Sequence, residues 1–221
     1  MIEKLIYYPD LPKIPDGFLE TIDAYDPNEV LAVSLGDGDL PSPSWLRMGT
    51  LTPHRSATKD GVSIPNASYQ RHPVNEKITN WIKQNIASDY TDFGISFHGK
   101  TGSIALPHTD KTRNWTLMWL LDEGGPEVDT VYWQEENYPV IRNTHPLGPD
   151  SYDVHWAAPT SYDNLKEVGR VRLKCGRWHL ITTQALHSVE GITAGPRKSL
   201  QIGFWDNSES IQRFKAISTN M

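Results

Sequence analysis

Between residues 75 and 87 the apolar side chains fall at Ile78, Trp81, Ile82 and Ile86. Spacings of i, i+3, i+4 and i+8 put them on one face of a helix. Asn75 is a suitable N-cap. The pattern predicts a helix over 75–87 that packs on a sheet and carries no chemistry. A shorter helix is expected at 18–22, after Pro15-Asp16-Gly17. Residues 36–75, rich in Gly, Pro, Ser and Asn, read as loop with short strands.

Beyond residue 90 the period shortens to two. Strands are predicted at 93–98, 103–110, 115–121, 130–134, 171–173, 178–183, 186–189 and 199–205, divided by turns at Gly99–Gly102, Asp122–Pro126 and Glu190–Pro196. Short strands at this spacing indicate an all-β sandwich or barrel, mostly β with flanking helices from the N-terminal part. Residues 137–168 are polar, hold several prolines and show no period. A segment of that kind inside a compact domain is commonly functional, and it is expected to cover the mouth of a site and select substrate. The organisation read from these patterns is one domain. Helices and loops over 1–90 precede a β core over 91–206, with 137–168 inserted and a tail at 207–221.

Composition narrows the options. A chain of 221 residues can bury roughly 70% of its unfolded surface, so a sizeable core is available. One cysteine excludes a disulfide scaffold and favours a reducing, cytoplasmic setting. The longest apolar run, Leu117–Leu121, is far too short for a membrane helix, and the first residues do not read as a signal peptide. The net charge is −6, but residues 170–221 hold eight Lys/Arg against three Asp/Glu, so this part carries +5 and the remainder −11. The acidic total argues against a nucleic-acid partner, while the basic C-terminal part can attract a small anion.

Three pieces carry candidate chemistry. In Pro107-His108-Thr109-Asp110, strand alternation puts His108 and Asp110 on one side, as two ligands of a divalent metal. His187 supplies a second imidazole from a later strand end. Two His and one carboxylate on one side of a metal form the facial triad of non-haem Fe(II) oxygenases and leave three positions open. Arg197 and Ser199 share strand parity ten residues after His187. A guanidinium fork with a hydroxyl is a good carboxylate receptor. One turn, Glu190–Pro196, can bring His187 and Arg197 side by side on antiparallel strands.

The ordered set His108-x-Asp110, His187 and Arg197-x-Ser199 resembles the 2-oxoglutarate- and Fe(II)-dependent oxygenase superfamily over residues ~92–206. That resemblance implies a double-stranded β-helix, the jelly-roll or cupin-like core. It also implies Fe(II) on His108, Asp110 and His187, with 2-oxoglutarate chelating the metal and its distal carboxylate on Arg197 and Ser199. The last position takes O2. The implied reaction hydroxylates a C–H bond of a small molecule, amino acid or peptidyl side chain, with release of succinate and CO2. The stretch His108-Thr109-Asp110-Lys111-Thr112-Arg113 also resembles the branch containing free-proline and aspartyl/asparaginyl hydroxylases; position 115 is Trp115, where some members of that branch carry His.

Other residues have plainer readings. His98, ten residues before His108, is a candidate for lining the 2-oxoglutarate pocket, against a hydrogen-bonded or exposed histidine. Arg113 is either a substrate contact or a surface ion pair. Asp153 and His155 are a rival metal pair without a third ligand at a recognisable spacing. His54 and His145 read as exposed, and His179 as a satisfied core residue. Two other classes stay open: a β-barrel metalloprotein using the triad for hydrolysis or isomerisation with Zn2+ or Mn2+, and a binding module that keeps the fold without turnover. Arg197 with Ser199 weighs against the first.

Overall fold

The computed structural model describes residues 5–18, 56–65, 69–72, 74, 76–98, 102, 104–110, 113–136, 141–144, 153–156 and 159–219. Its strands in chain order are β1 (Ile6–Tyr7), β2 (Ser56–Lys59), β3 (Val62–Pro65), β4 (Tyr69–His72), β5 (Asp92–His98), β6 (Ala105–His108), β7 (Trp115–Asp122), β8 (Asp129–Glu135), β9 (Ile141–Thr144), β10 (Asp153–Trp156), β11 (Leu165–Val171), β12 (Trp178–Thr182), β13 (His187–Glu190) and β14 (Arg197–Phe204). Helix α1 spans Glu76–Asn85 and α2 spans Glu209–Ala216.

Ten of these strands build two facing antiparallel sheets. The larger has the order β1-β12-β7-β14-β5-β4 and the smaller β11-β8-β13-β6. Successive core strands alternate between them: β5 large, β6 small, β7 large, β8 small, then β11 small, β12 large, β13 small and β14 large. This is the double-stranded β-helix, a jelly-roll core. Edge strands β1 and β4 come from the part of the chain read as helices and loops. The segment 137–168 holds more structure than its lack of period indicated: β9 pairs with β10 as a hairpin, and β11 begins at Leu165.

Strand parity explains which side is dry. On the larger sheet Phe93, Ile95, Trp115, Leu117, Trp119, Trp178, Leu180, Leu200, Ile202 and Phe204 face outward into one apolar cluster. Ile78, Ile82 and Ile86 from α1 and Ile211 and Phe214 from α2 complete that cluster, so both helices cover this face. The Phe204 and Phe214 rings meet edge to face at 5.7 Å. Helix α1 thus does what its periodicity predicts, and the Trp119 and Trp178 side chains are core. The alternate positions of the same strands point into the barrel, where Met118, Leu120 and Ile181 form a second apolar cluster with Tyr132 and the rest include polar residues: Asp92, Ser96, Thr116, His179, Arg197, Ser199 and Gln201, all buried. Polar groups are retained in such a place only where partners or a ligand satisfy them.

One end of the barrel is closed by turns. The Thr193 and Ala194 amides both donate to the Gly124 carbonyl at 2.9 Å, and the Gly102 amide donates to the Ile192 carbonyl at 2.7 Å. Gly191, with φ of 82°, sits so close to this junction that a Cβ would lie 2.3 Å from the Glu127 carbonyl oxygen. Gly191→Ala is therefore expected to destabilise the protein by about 2–3 kcal/mol. Chemical denaturation would measure it, and a loss below about 0.5 kcal/mol would show the junction to be loose.

Candidate metal and anion site

At the opposite end, β6 and β13 pair so that His108 faces His187 in register. Their rings lie 4.6 Å apart, centroid to centroid. His108 Nδ1 donates to the Leu106 carbonyl at 2.7 Å, and His187 Nδ1 donates to the Ala185 carbonyl at 2.9 Å. Each ring thereby spends its proton on the backbone two residues earlier and keeps a bare Nε2. Asp110 Oδ1 stands 3.6 Å from His108 Nε2. One ligand atom from each of His108, Asp110 and His187 lies within 4.8 Å of the others. That donor set, two neutral imidazoles and one carboxylate, fits a divalent transition metal and leaves coordination positions open.

The loops holding these ligands are tied to each other. The Asp110 amide donates to the Thr183 carbonyl at 2.9 Å, and the Thr183 amide to the Asn114 carbonyl at 2.8 Å. Gln184 Nε2 donates to the carbonyls of Asp110 and Arg113. The second carboxylate oxygen of Asp110 accepts the Nε–H of Arg113 at 2.6 Å. Burial works to raise the Asp110 carboxyl, but Arg113, His187 and His108 outweigh it and hold it well below the usual carboxylate range. Burial pushes His187 below the ordinary histidine value, despite Asp110 nearby, which favours the neutral form a metal needs.

Arg197 opens β14 deep in the barrel and is 2% exposed. Its Nη1 donates to Thr130 Oγ1 at 3.0 Å, and Nη2 lies 3.9 Å from Met118 Sδ. Among the described residues no carboxylate pairs with it. Burial brings its pKa down to about 10, so the guanidinium stays charged at neutral pH. Tyr132, fully buried, has a hydroxyl without a partner among the described residues. Burial pushes its phenol up, which keeps the O–H a donor. The register places Tyr132 opposite His187 and Thr130 opposite Val189. The Arg197–Thr130 pair therefore lies two residues, about 7 Å, deeper than the imidazole of His187.

The remaining expectations sort as follows. Ser199 faces inward beside Arg197 and accepts the Nε2–H of Gln201 at 3.0 Å. His98 ends β5 with its Cα opposite Arg197. Arg113 is not a surface residue: it is 8% exposed and bonds Asp110, Asp92 and Gln201, because the chain turns inward at Arg113 before β7. His179 is buried, as expected of a core residue, with its pKa lowered to about 3 by burial. Asp153 and His155 lie on β10, whose side chains fall outside the described residues, and His54 and His145 lie outside them altogether. The sequence motifs do not include Thr130, Tyr132 or Gln201. Gln201 continues the inward parity of Arg197 and Ser199, and that signal was available.

No helix among the described residues is long and apolar enough to cross a membrane. No family model matches the chain, and no curated protein matches it. Among the solved structures similar to it at low identity are the following two. One is an oxidoreductase of the 2OG-Fe(II) oxygenase family from Burkholderia pseudomallei, 12% identical, aligned over 72% of this chain and 73% of that one with a TM-score of 0.35. The other is ycfD of E. coli, 14% identical over 71% of this chain, with a TM-score of 0.37; the match spans 43% of that protein's length.

Proposed function

We propose that this protein is an Fe(II)- and 2-oxoglutarate-dependent oxygenase that hydroxylates a C–H bond of a small molecule, amino acid or peptidyl side chain. The observation that carries the reading is the pairing of two half-sites in one barrel. A three-ligand metal site stands at the level of Tyr132, two strand residues, about 7 Å along β8, from Thr130, which accepts from a buried guanidinium that no described carboxylate neutralises. A five-carbon dicarboxylic keto acid can bridge that span, with its keto-acid end at the metal and its far carboxylate on Arg197, Thr130 and Tyr132. A metal hydrolase or isomerase has no use for such a receptor at that depth.

Charge supports the same ligand. Within the barrel the described cations Arg113 and Arg197, with a divalent metal, face the carboxylates of Asp92 and Asp110. Two positive charges remain, which a dianion would balance. Arg113 answers the two protein carboxylates, so Arg197 is left for the ligand. Loaded with Fe(II), 2-oxoglutarate and O2, such a site supplies oxidative decarboxylation: substrate C–H, O2 and 2-oxoglutarate become C–OH, succinate and CO2. His108, Asp110 and His187 would hold the metal. Tyr132 and Arg197 orient the co-substrate, and the apolar ring of Tyr132 beside His187 helps exclude water.

Anaerobic addition of Fe(II) and 2-oxoglutarate is expected to produce a weak visible charge-transfer band, and a panel of amino acids and peptides is expected to contain one that accelerates succinate release. A protein that binds Fe(II) or Mn(II) yet shows neither the band nor calorimetric affinity for 2-oxoglutarate would overturn the reading.

A further inference from the structure

The site holds a second feature that its ligands do not require. Arg113 is buried between three acceptors on three elements. Nε donates to Asp110 Oδ2 at 2.6 Å, Nη1 to Asp92 Oδ1 at 3.2 Å and Nη2 to Gln201 Oε1 at 3.1 Å. The guanidinium arm crosses β14 at Gly203, where a Cβ would lie 2.8 Å from Arg113 Cδ and 2.6 Å from Asp92 Oδ1. Only glycine leaves that floor open.

The bonds have a direction. A guanidinium can only donate, so Gln201 must turn its carbonyl oxygen to Arg113. Its amide nitrogen then points along the strand and donates to Ser199 Oγ at 3.0 Å. A hydroxyl that accepts there must aim its own proton elsewhere. Ser199 shares the inward face with Arg197, two residues away. From Arg113 one chain of donors runs to the metal-side carboxylate, and a second runs through Gln201 and Ser199 toward the anion receptor.

We infer that Arg113 is a positioning residue that sets both halves of the site: it holds Asp110 with Oδ1 toward the imidazoles, and through Gln201 it makes the Ser199 hydroxyl a donor to the bound carboxylate. The second half rests on the 2-oxoglutarate reading above, and the first does not. Gln201 touches neither ligand and acts only by fixing the polarity of Ser199.

The test separates the halves by measuring Mn(II) affinity alone and then 2-oxoglutarate affinity of the Mn(II)-loaded protein, anaerobically, by calorimetry. Arg113→Lys keeps a cation near Asp92 and Asp110 but loses the three-way fork. It is expected to weaken Mn(II) by about 10–100-fold. Gln201→Leu, close in volume, is expected to leave Mn(II) affinity within about twofold and to weaken 2-oxoglutarate about tenfold. Ser199→Ala should do the same, and the double variant should be no weaker than Ser199→Ala alone, because Gln201 acts on the bound carboxylate only through Ser199. Gln201→Glu gives Ser199 an acceptor in place of a donor, and should weaken 2-oxoglutarate further than Gln201→Leu does.

Wild-type Mn(II) affinity in Arg113→Lys would overturn the metal half. Additive losses in the double variant, or unchanged 2-oxoglutarate affinity in Gln201→Leu, would overturn the relay. Should the wild-type protein bind Mn(II) but no 2-oxoglutarate, the functional reading and the relay fall together, while the Mn(II) result for Arg113→Lys still decides the other half. Thermal unfolding of each apo variant separates these selective losses from simple loss of fold, which would lower both affinities in parallel.

Discussion

Replacing His187 by alanine is expected to abolish divalent-metal binding while leaving the fold intact. The candidate site offers three protein ligands, His108, Asp110 and His187, and among the described residues His187 is the one from β13. Disrupting the partners that merely orient a ligand costs 10–100-fold, so removing a ligand should cost well over about a hundredfold. The fold should survive, since β13 keeps its pairings with β6 and β8 through Val189 and its neighbours. Asp110→Ala offers the contrast. It too removes the metal, but it also strips Arg113 of its closest carboxylate and leaves the buried guanidinium facing Asp92 at 3.2 Å. Breaking a buried pair from one side costs about 3–5 kcal/mol. Thermal melts with and without Mn(II) read both effects: wild type gains stability from the metal, whereas His187→Ala melts near the apo wild-type temperature and does not respond. A His187→Ala protein whose melting temperature still rises with Mn(II) would remove His187 from the ligand set.

The same comparison shows what the sequence made legible. The strands of the core were readable wherever alternation or a continuous apolar run marked them. Trp115–Asp122 is such a run because β7 lies between β12 and β14 with one face on the helices and the other in the barrel. The shared face of His108 with Asp110 and of Arg197 with Ser199 was readable from strand parity, but His187 and Arg197 do not sit side by side on one hairpin: β13 belongs to the smaller sheet and β14 to the larger, and the turn between them crosses from one sheet to the other. Thr130 and Tyr132 were not readable, since their roles depend on which strand of the smaller sheet lies beside β13, and pairing order is invisible in local pattern. Arg113 was misplaced for a related reason. It follows Asp110 in a polar stretch, Lys111-Thr112-Arg113-Asn114, that reads as exposed loop, and it is buried only because Asp92 and Gln201, 21 and 88 residues away, wait inside. Edge strand β1 is two residues long and had no pattern to read.

Arg197→Met is expected to make the protein more stable and to destroy its affinity for 2-oxoglutarate. Burial lowers the Arg197 pKa to about 10. Above about pH 10 the unfolded chain still holds a proton that the folded chain has lost, so stability rises with pH there. Below about pH 10 both states are protonated and the penalty for burying the charge is complete, so it is present in full at neutral pH. A shift of that size corresponds to about 3 kcal/mol. Methionine follows much of the same path without the charge, at a loss of about 1 kcal/mol for the unpaired Thr130 hydroxyl. The net gain of about 2 kcal/mol should raise the melting temperature of a chain this size by about 4–8 °C. Binding reverses the balance: in the wild-type protein a dianion meets the guanidinium and recovers the burial cost, so Mn(II) with 2-oxoglutarate should stabilise it beyond Mn(II) alone. In Arg197→Met only the metal increment should remain. An apo variant less stable than wild type would mean the guanidinium is satisfied within the protein, and the barrel would then hold no vacancy for a carboxylate.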